Sequence, residues 1–311
     1  VAGVSPRVRR LARIGVGVAV VAATALAVGA GPFLRGLEAI SPAAILLAAL
    51  LTATATAAAA WRWRAIADGL GLRLGWGAAI AAYYRSQFLN AVLPGGVVGD
   101  VHRAYDHGRR TREPGLGARA VVAERIAGQV VQLVLVGVAL TALGLTAPLR
   151  GAAWAAVAVG GVILVALGIV AATTRGRRML RREGALLRTV FADPRRTLSV
   201  VVSSVVVVAC HTTTFVVATL ASGVQAPLGD LVALALVALT AASLPINVGG
   251  WGPREAAAGS AFALVGLSAG AGVAASTAFG VLALVAVLPG ALVLIVERAT
   301  RPRIVPVEVP A

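Results

Sequence analysis

Arg85, Arg125 and Arg254 are the charged residues best placed to do chemistry, because each interrupts or adjoins a stretch that is otherwise apolar. Arg85 belongs to YYRSQFLN, where Gln87 and Asn90 add two amides to an apolar arm. Arg125 follows Glu124, and Arg125, Gln129 and Gln132 recur at i, i+4 and i+7, on one face of a helix. Arg254 and Glu255 follow the break-prone run SLPINVGGWGP. A guanidinium is a planar fork that matches two oxygens of a phosphate at once. Backbone N–H groups freed at the start of a half-helix attract the same anions. Capture of an anionic or zwitterionic head group is the chemistry these residues fit. A charge at the centre of a membrane costs about 2.5–3.5 kcal/mol, so such residues face a cavity or a partner. Plainer roles stay open for each. Arg85 can snorkel to an interface from a shallow hairpin. Glu124 and Arg125 can neutralise each other or pair with a facing loop, although adjacent residues do not share a helix face and need separate partners. Arg254 and Glu255 can lock a chain break, where polar groups satisfy freed backbone.

The elements that position these residues are membrane spans. Of 311 residues, 59% are hydrophobic and 13% charged, and the mean hydropathy is +0.91. Soluble domains carry roughly 25% charged residues. Stretches 14–31, 41–60, 126–146, 151–173, 197–222 and 270–296 approach or exceed the roughly 20 apolar residues that cross a bilayer. No segment is long and polar enough to form a soluble catalytic domain. Arg7, Arg9, Arg10 and Arg13 before the first stretch imitate a secretory signal. That stretch is longer than a signal core and is followed by more spans, so it reads as a retained first helix.

The net charge of +16 comes entirely from arginine, 28 residues in all. In so apolar a chain this marks cytoplasmic loops that meet anionic head groups, rather than a nucleic-acid surface. The clusters are the four arginines before the first span; Arg62, Arg64 and Arg73; Arg103, Arg109, Arg110, Arg112 and Arg119; eight between Arg175 and Arg196; and Arg298, Arg301 and Arg303. If all five lie inside, residues 61–73 and 99–119 share a side although the apolar stretch 74–98 separates them. That stretch must enter and return, with a tip at LPGG, where Pro94 ends a helix and Gly95 and Gly96 allow a turn. The same parity problem recurs at 243–257, with a second tip between Pro245 and Pro253. The expected architecture is therefore an all-α polytopic membrane protein with about six full transmembrane helices and two re-entrant helical hairpins in an inverted repeat. The first repeat covers residues 1–146 with its hairpin at 74–98, and the second 147–311 with its hairpin at 230–268. Both termini are expected in the cytoplasm, at the cell membrane. Broken helices that meet near the midplane are the architecture of secondary transporters.

Other motifs point less far. Cys210 is the only cysteine, which excludes an internal disulfide. Asp100, His102, Asp106 and His107 are metal-ligand and acid–base types, but in an arginine-rich loop solvated or head-group contact is the expected role. GGVVGD lacks the βαβ context of a dinucleotide site. His211 and the threonines of CHTTTF are read as structural. WRWR, residues 61–64, reads as an interfacial anchor. No metal and no cofactor is expected.

SQFLNAVLPGGVVGDVHRAY, VVAERIAG and LPINVGGWGPREAA, in this order, resemble the lysylphosphatidylglycerol synthase transmembrane-region family, over roughly residues 14–297. The family includes the flippase portion of multiple peptide resistance factors. The resemblance implies an integral membrane domain that moves aminoacylated or otherwise modified phospholipids between leaflets. It assigns Gln87, Asn90, Pro94, Gly95, Gly96, Gly99, Asp100 and Arg103 to a first motif, Glu124 and Arg125 to a second, and Pro245, Gly249, Gly250, Pro253, Arg254 and Glu255 to a third. Full synthases carry a following aminoacyl-transferase domain, so lysine transfer from tRNA is not expected here.

Taken together, the expected activity is flippase-like and non-enzymatic, with no catalytic residues and with membrane phospholipid as the ligand. Its head-group contacts are Arg85, Gln87, Asn90, Gly95, Gly96, Asp100, Arg103, Glu124, Arg125, Gln129, Asn247, Gly249, Gly250, Arg254 and Glu255. Two rivals stand beside it. One is a membrane-embedded lipid transferase or hydrolase using Asp100 or Glu255 as base, although no nucleophile pairs with it at a recognisable spacing. The other is an accessory subunit that anchors a separate synthase or glycosyltransferase through residues 175–196.

Overall fold

A computed structural model describes residues 31–93, 96–142, 174–243 and 251–300. The expected spans at 14–31 and 151–173 lie outside these residues except for Gly31. So do Pro94, Gly95, Pro245, Asn247, Gly249 and Gly250. The described residues form helices and no strand: α1 Gly31–Glu38, α2 Pro42–Gly69, α3 Trp76–Val92, α4 Val98–Thr111, α5 Pro114–Ala142, α6 Thr174–Phe191, α7 Pro194–Ala221, α8 Leu228–Ala242, α9 Pro253–Leu264, α10 Ala269–Ala286 and α11 Pro289–Thr300. Helix starts are written locally. Ser41 and Asp193 accept from the backbone N–H groups of Ala44 (3.2 Å) and Arg195 (2.9 Å), with Pro42 and Pro194 at the first helical positions.

Among the described residues α2, α5, α7 and the continuous apolar stretch Ala269–Glu297 are long and apolar enough to cross a membrane. α2 and α7 have 28 residues each, ~42 Å at ~1.5 Å per residue, against a hydrocarbon core of ~30 Å. They pack on each other and bury small side chains, Thr52, Ala55, Thr56 and Ala59 on one and Ser203, Ser204 and Thr212 on the other. Small residues let backbones approach where lipid offers no hydrophobic drive for helices to associate. The expected last span, 270–296, is present with a turn inside it. Pro289 has no N–H to continue the ladder, so α10 ends at Ala286 and α11 restarts at Pro289.

Two helix–break–helix pairs stand out. α3 and α4 pack together across one break and α8 and α9 across the other. With arms of 12 to 17 residues, or ~18–26 Å, none spans the hydrocarbon core alone. Each break holds a glycine in the left-handed region, Gly96 (φ 60°) and Gly252 (φ 111°), conformations that side chains rarely adopt.

The first pair corrects the sequence reading. The hairpin expected to end at residue 98 continues to Thr111, because the polar stretch expected as a loop forms its return arm, α4. The helix expected over 126–146 begins at Pro114, so Glu124 and Arg125 lie well inside α5 rather than near its start. The reason is the inverted polarity of α4. Asp100, Arg103 and His107 are buried, while Val101 and Tyr105 on the other face are 65% and 64% exposed. A helix facing water turns its polar stripe outward. This one turns it inward and offers apolar residues to its surroundings. α5 likewise exposes Val122, Ile126, Val130 and Val134 at helical spacing.

Gly99 makes the hairpin close. A Cβ there would lie 2.0 Å from the carbonyl oxygen of Ser86 on α3. Gly99→Ala must push α4 off α3, and overpacking of this kind costs about 1–3 kcal/mol. Thermal unfolding of the purified protein in detergent is expected to show a lowered midpoint. An equal substitution at Gly137, where nothing lies within 4 Å, is expected to leave the midpoint unchanged.

Candidate functional site

The inward face of α4 meets a single carboxylate. Glu124 of α5 is fully buried and accepts from three helices. Arg62 Nε of α2 donates to Oε1 at 2.8 Å, the Tyr83 hydroxyl of α3 at 2.6 Å, and Arg103 Nη2 of α4 donates to Oε2 at 2.8 Å. Arg62 also donates to the Ser204 hydroxyl of α7 at 3.0 Å. Arg103 reaches Asp100 at 3.0 Å, and its guanidinium stacks 4.5 Å from the Trp63 ring centroid and 4.1 Å from that of Tyr83. Asp100 accepts further from Ser86 (3.1 Å), Asn90 (3.0 Å) and Arg125. Asn90 in turn accepts from the Gly99 N–H at 2.7 Å, and Gln87 from the Thr56 hydroxyl at 2.9 Å. Glu124 and Arg125, although adjacent, thus have separate partners on separate helix faces.

Beside this network a second group surrounds Arg85, which pairs with Asp106 of α4 (3.0 Å) and with Glu297 of α11. Arg110 reaches Asp106 at 3.2 Å.

The second break is built differently. Glu255 Oε2 accepts from the Gly252 N–H at 2.7 Å and so caps α9. Its Oε1 takes Arg254 (Nη2 at 2.6 Å) and the Ser276 hydroxyl of α10 (3.0 Å). Arg254 lies 5.5 Å from the Trp251 centroid and 5.1 Å from that of Phe279. α5 links the two breaks. On its polar face Arg125 holds Asp100 of the first hairpin, Gln129 donates to Ser243 (2.7 Å) and Gln132 to Thr240 (3.1 Å) of the second.

The three arginines singled out in the sequence therefore occupy different surroundings. Arg85 and Arg254 are buried and paired, whereas the Arg125 side chain is 50% exposed. The interfacial reading of WRWR is corrected for its inner half. Arg62 and Trp63 are buried, while Trp61 is exposed and Arg64 donates to the Leu74 carbonyl (2.6 Å) beside Trp76. The loop placement of Asp100 and His107 is corrected too, since both are buried on α4. Arg62, Tyr83, Ser276 and Glu297 were missed as site residues. The signal available for Arg62 was a helix turning about 100° per residue, which cannot present both residues of an adjacent Trp-Arg pair to one interface. Among the described residues no cluster of three His, Cys, Asp or Glu is arranged to hold a metal. Thr214 bonds back to the Cys210 carbonyl at 2.9 Å.

The pattern described as lysylphosphatidylglycerol synthase TM region matches residues 10–290, which takes in both breaks, Glu124–Arg125 and Arg254–Glu255. The chain belongs to this family. No curated protein and no solved structure matches it. Family membership, together with the long apolar helices, makes this a polytopic protein of a membrane, and the lysylphosphatidylglycerol synthase TM region is then the frame in which the buried charges act.

Removing Glu124 takes from Arg62 the carboxylate it pairs with and leaves Arg103 with Asp100, and loss of one partner from a buried pair costs about 3–5 kcal/mol. Glu124→Gln is expected to lower the thermal midpoint strongly. Asp106→Asn, at a partly exposed carboxylate whose Arg85 keeps Glu297, is expected to cost about 1 kcal/mol or less. Equal losses in the two variants would show that Glu124 does not hold the helices together.

Proposed function

We propose that the protein is a flippase-like translocator of anionic or zwitterionic phospholipid, aminoacylated or not, acting without chemical change to the lipid. The observation that carries this reading is the polar face of α5, where Arg125, Gln129 and Gln132 run between the first break and the second. An arginine whose side chain is half exposed on a helix with an exposed apolar stripe is a contact point for a phosphate. The two helix–break–helix pairs support an inverted repeat whose hairpins dip into the bilayer from opposite faces of the cell membrane, with the termini cytoplasmic. On this reading the head group follows the α5 face while the acyl chains stay in lipid. Arg85 and Arg254, being satisfied by carboxylates, shape the hairpins rather than take the ligand.

Arg125→Gln leaves Asp100 with Ser86, Asn90 and Arg103, so the variant is expected to fold. In reconstituted vesicles it is expected to slow leaflet exchange of fluorescent phosphatidylglycerol by tenfold or more, since a hydrogen bond to a charged group is worth about 1.5–3 kcal/mol. Exchange at the parent rate would sink the reading. The hairpin geometry has its own check: Arg73→Cys and Arg109→Cys, each in a Cys210→Ala background, are expected to react with an impermeant maleimide from the same side. Labelling from opposite sides would mean that the first pair crosses the membrane.

A further inference from the structure

α6 is basic on one side and apolar on the other. At about 100° per residue, Arg177, Arg178, Arg181, Arg182 and Arg188 fall on one side and Met179, Leu180, Leu186, Leu187, Val190 and Phe191 on the opposite one. All five arginines are exposed. The single acid of the helix, Glu183, is taken by Arg119 of α5 at 2.8 Å and neutralises none of them. The rest of the protein covers only part of the apolar side. Val190 is fully buried in a cluster with Ile66 of α2, Ala123 of α5 and Val200 of α7, whereas Met179 and Leu187 are 55% and 39% exposed. The position of α6 follows from the chain. Only Ala192 and Asp193 separate it from α7, which is long and apolar enough to cross a membrane. Gly69, at the end of α2, lies against the Arg196 side chain at the start of α7. α6 thus sits where membrane spans end, at the boundary between hydrocarbon and water. A basic amphipathic helix lies in the plane of that boundary, with its apolar side in the acyl region. Clusters of roughly four to eight basic residues on such a helix match anionic head groups, and each guanidinium fork fits the oxygens of a phosphate.

We propose that α6 is a docking surface for the anionic face of the membrane. It lies in the interface, with Met179 and Leu187 at the acyl boundary and its five arginines among lipid phosphates. The lipids it takes belong to the surrounding leaflet and are not cargo. The surface therefore stands apart from the polar face of α5 and does not rest on the transport reading. Charge decides for lipid over a soluble anion, since only a lipid surface meets the arginines and the exposed apolar residues at once.

The test uses the full chain in nanodiscs, with an environment-sensitive fluorophore at Met179→Cys or at Ala185→Cys, each in a Cys210→Ala background. Ala185 is exposed and lies on the arginine side. Lipids brominated along their acyl chains quench a fluorophore that enters the acyl region. In phosphatidylcholine mixed with phosphatidylglycerol, strong quenching is expected at Met179→Cys and little at Ala185→Cys. In phosphatidylcholine alone, quenching at Met179→Cys is expected to fall. Adding Arg181→Gln and Arg182→Gln is expected to lower the ratio of docked to undocked helix about fivefold for each charge removed. High salt screens the same charges without any substitution, and is expected to act on the parent in the same direction. An unquenched Met179→Cys label in the mixed nanodiscs, quenching equal in the two lipid compositions, or equal quenching at the two positions overturns the inference. A Met179→Cys label shielded from water in native membrane vesicles but unquenched in the mixed nanodiscs also overturns it, and assigns α6 to a protein partner instead.

Discussion

One buried carboxylate holds the first half of the molecule together. Glu124 receives Arg62 from α2, Tyr83 from α3 and Arg103 from α4, so four helices meet at two oxygens. In water such a cluster adds little stability over an apolar substitute of the same shape, because each ion must first be desolvated. In a bilayer the comparison changes. Lipid tails are as apolar as leucine, so burying leucine between helices gains little over leaving it in lipid. What distinguishes one helix arrangement from another is whether a charge has a partner. An α4 turned by half a rotation would send Arg103 and Asp100 into hydrocarbon and lose every bond described for them.

The two hairpins solve the same problem in different ways. At the first break the backbone is steadied from a distance: Asn90 takes the Gly99 N–H, and Asp100 gathers Ser86, Asn90, Arg103 and Arg125. At the second the solution is local, since Glu255 takes the Gly252 N–H just before its own helix and holds the arginine beside it. A cap fixes one helix end and needs little else. A network of interhelical pairs responds to any shift of α2, α3, α4 or α5. Coupling between the polar face of α5 and the rest of the protein is therefore concentrated at the first hairpin, where Arg125 and Glu124 are neighbours in sequence but serve different partners.

Much of this was legible in the sequence because membranes penalise ambiguity. The long apolar stretches, the Pro-Gly breaks and the i, i+4, i+7 stripe of Arg125, Gln129 and Gln132 each follow from one physical rule; the described residues hold four of the long stretches, the stripe, and a left-handed glycine beside each break, Gly96 and Gly252. The extent of the first hairpin was not legible. Val98–Thr111 is polar enough to read as a loop, and only its packing shows that the polar residues point inward. Arg62 was hidden for a related reason. A charge two positions from another arginine looks like part of the same interfacial cluster, and its partner, Glu124, lies far along the chain. Pairings of that kind carry no local periodicity. Glu297, which closes on Arg85 from α11, is a further instance.

α5 shows why a translocation path is compatible with so tight a core. Arg125 and Ile126 are neighbours, and both are about half exposed. The boundary between polar and apolar surface therefore runs along the length of the helix rather than across it. A lipid lying on that boundary can keep its acyl chains against Ile126, Val130 and Val134 while its head group stays beside Arg125 and Gln129. Moving a charged group into hydrocarbon costs several kcal/mol because nothing there replaces water. A longitudinal polar stripe replaces it in small steps and at fixed positions, with side chains already held by Asp100 and Ser243. Such a stripe needs no wide channel, only an edge, and it needs both hairpins to bracket its ends. On the proposed transport reading the buried ion pairs have a purpose beyond packing: they keep the first bracket in register with α5.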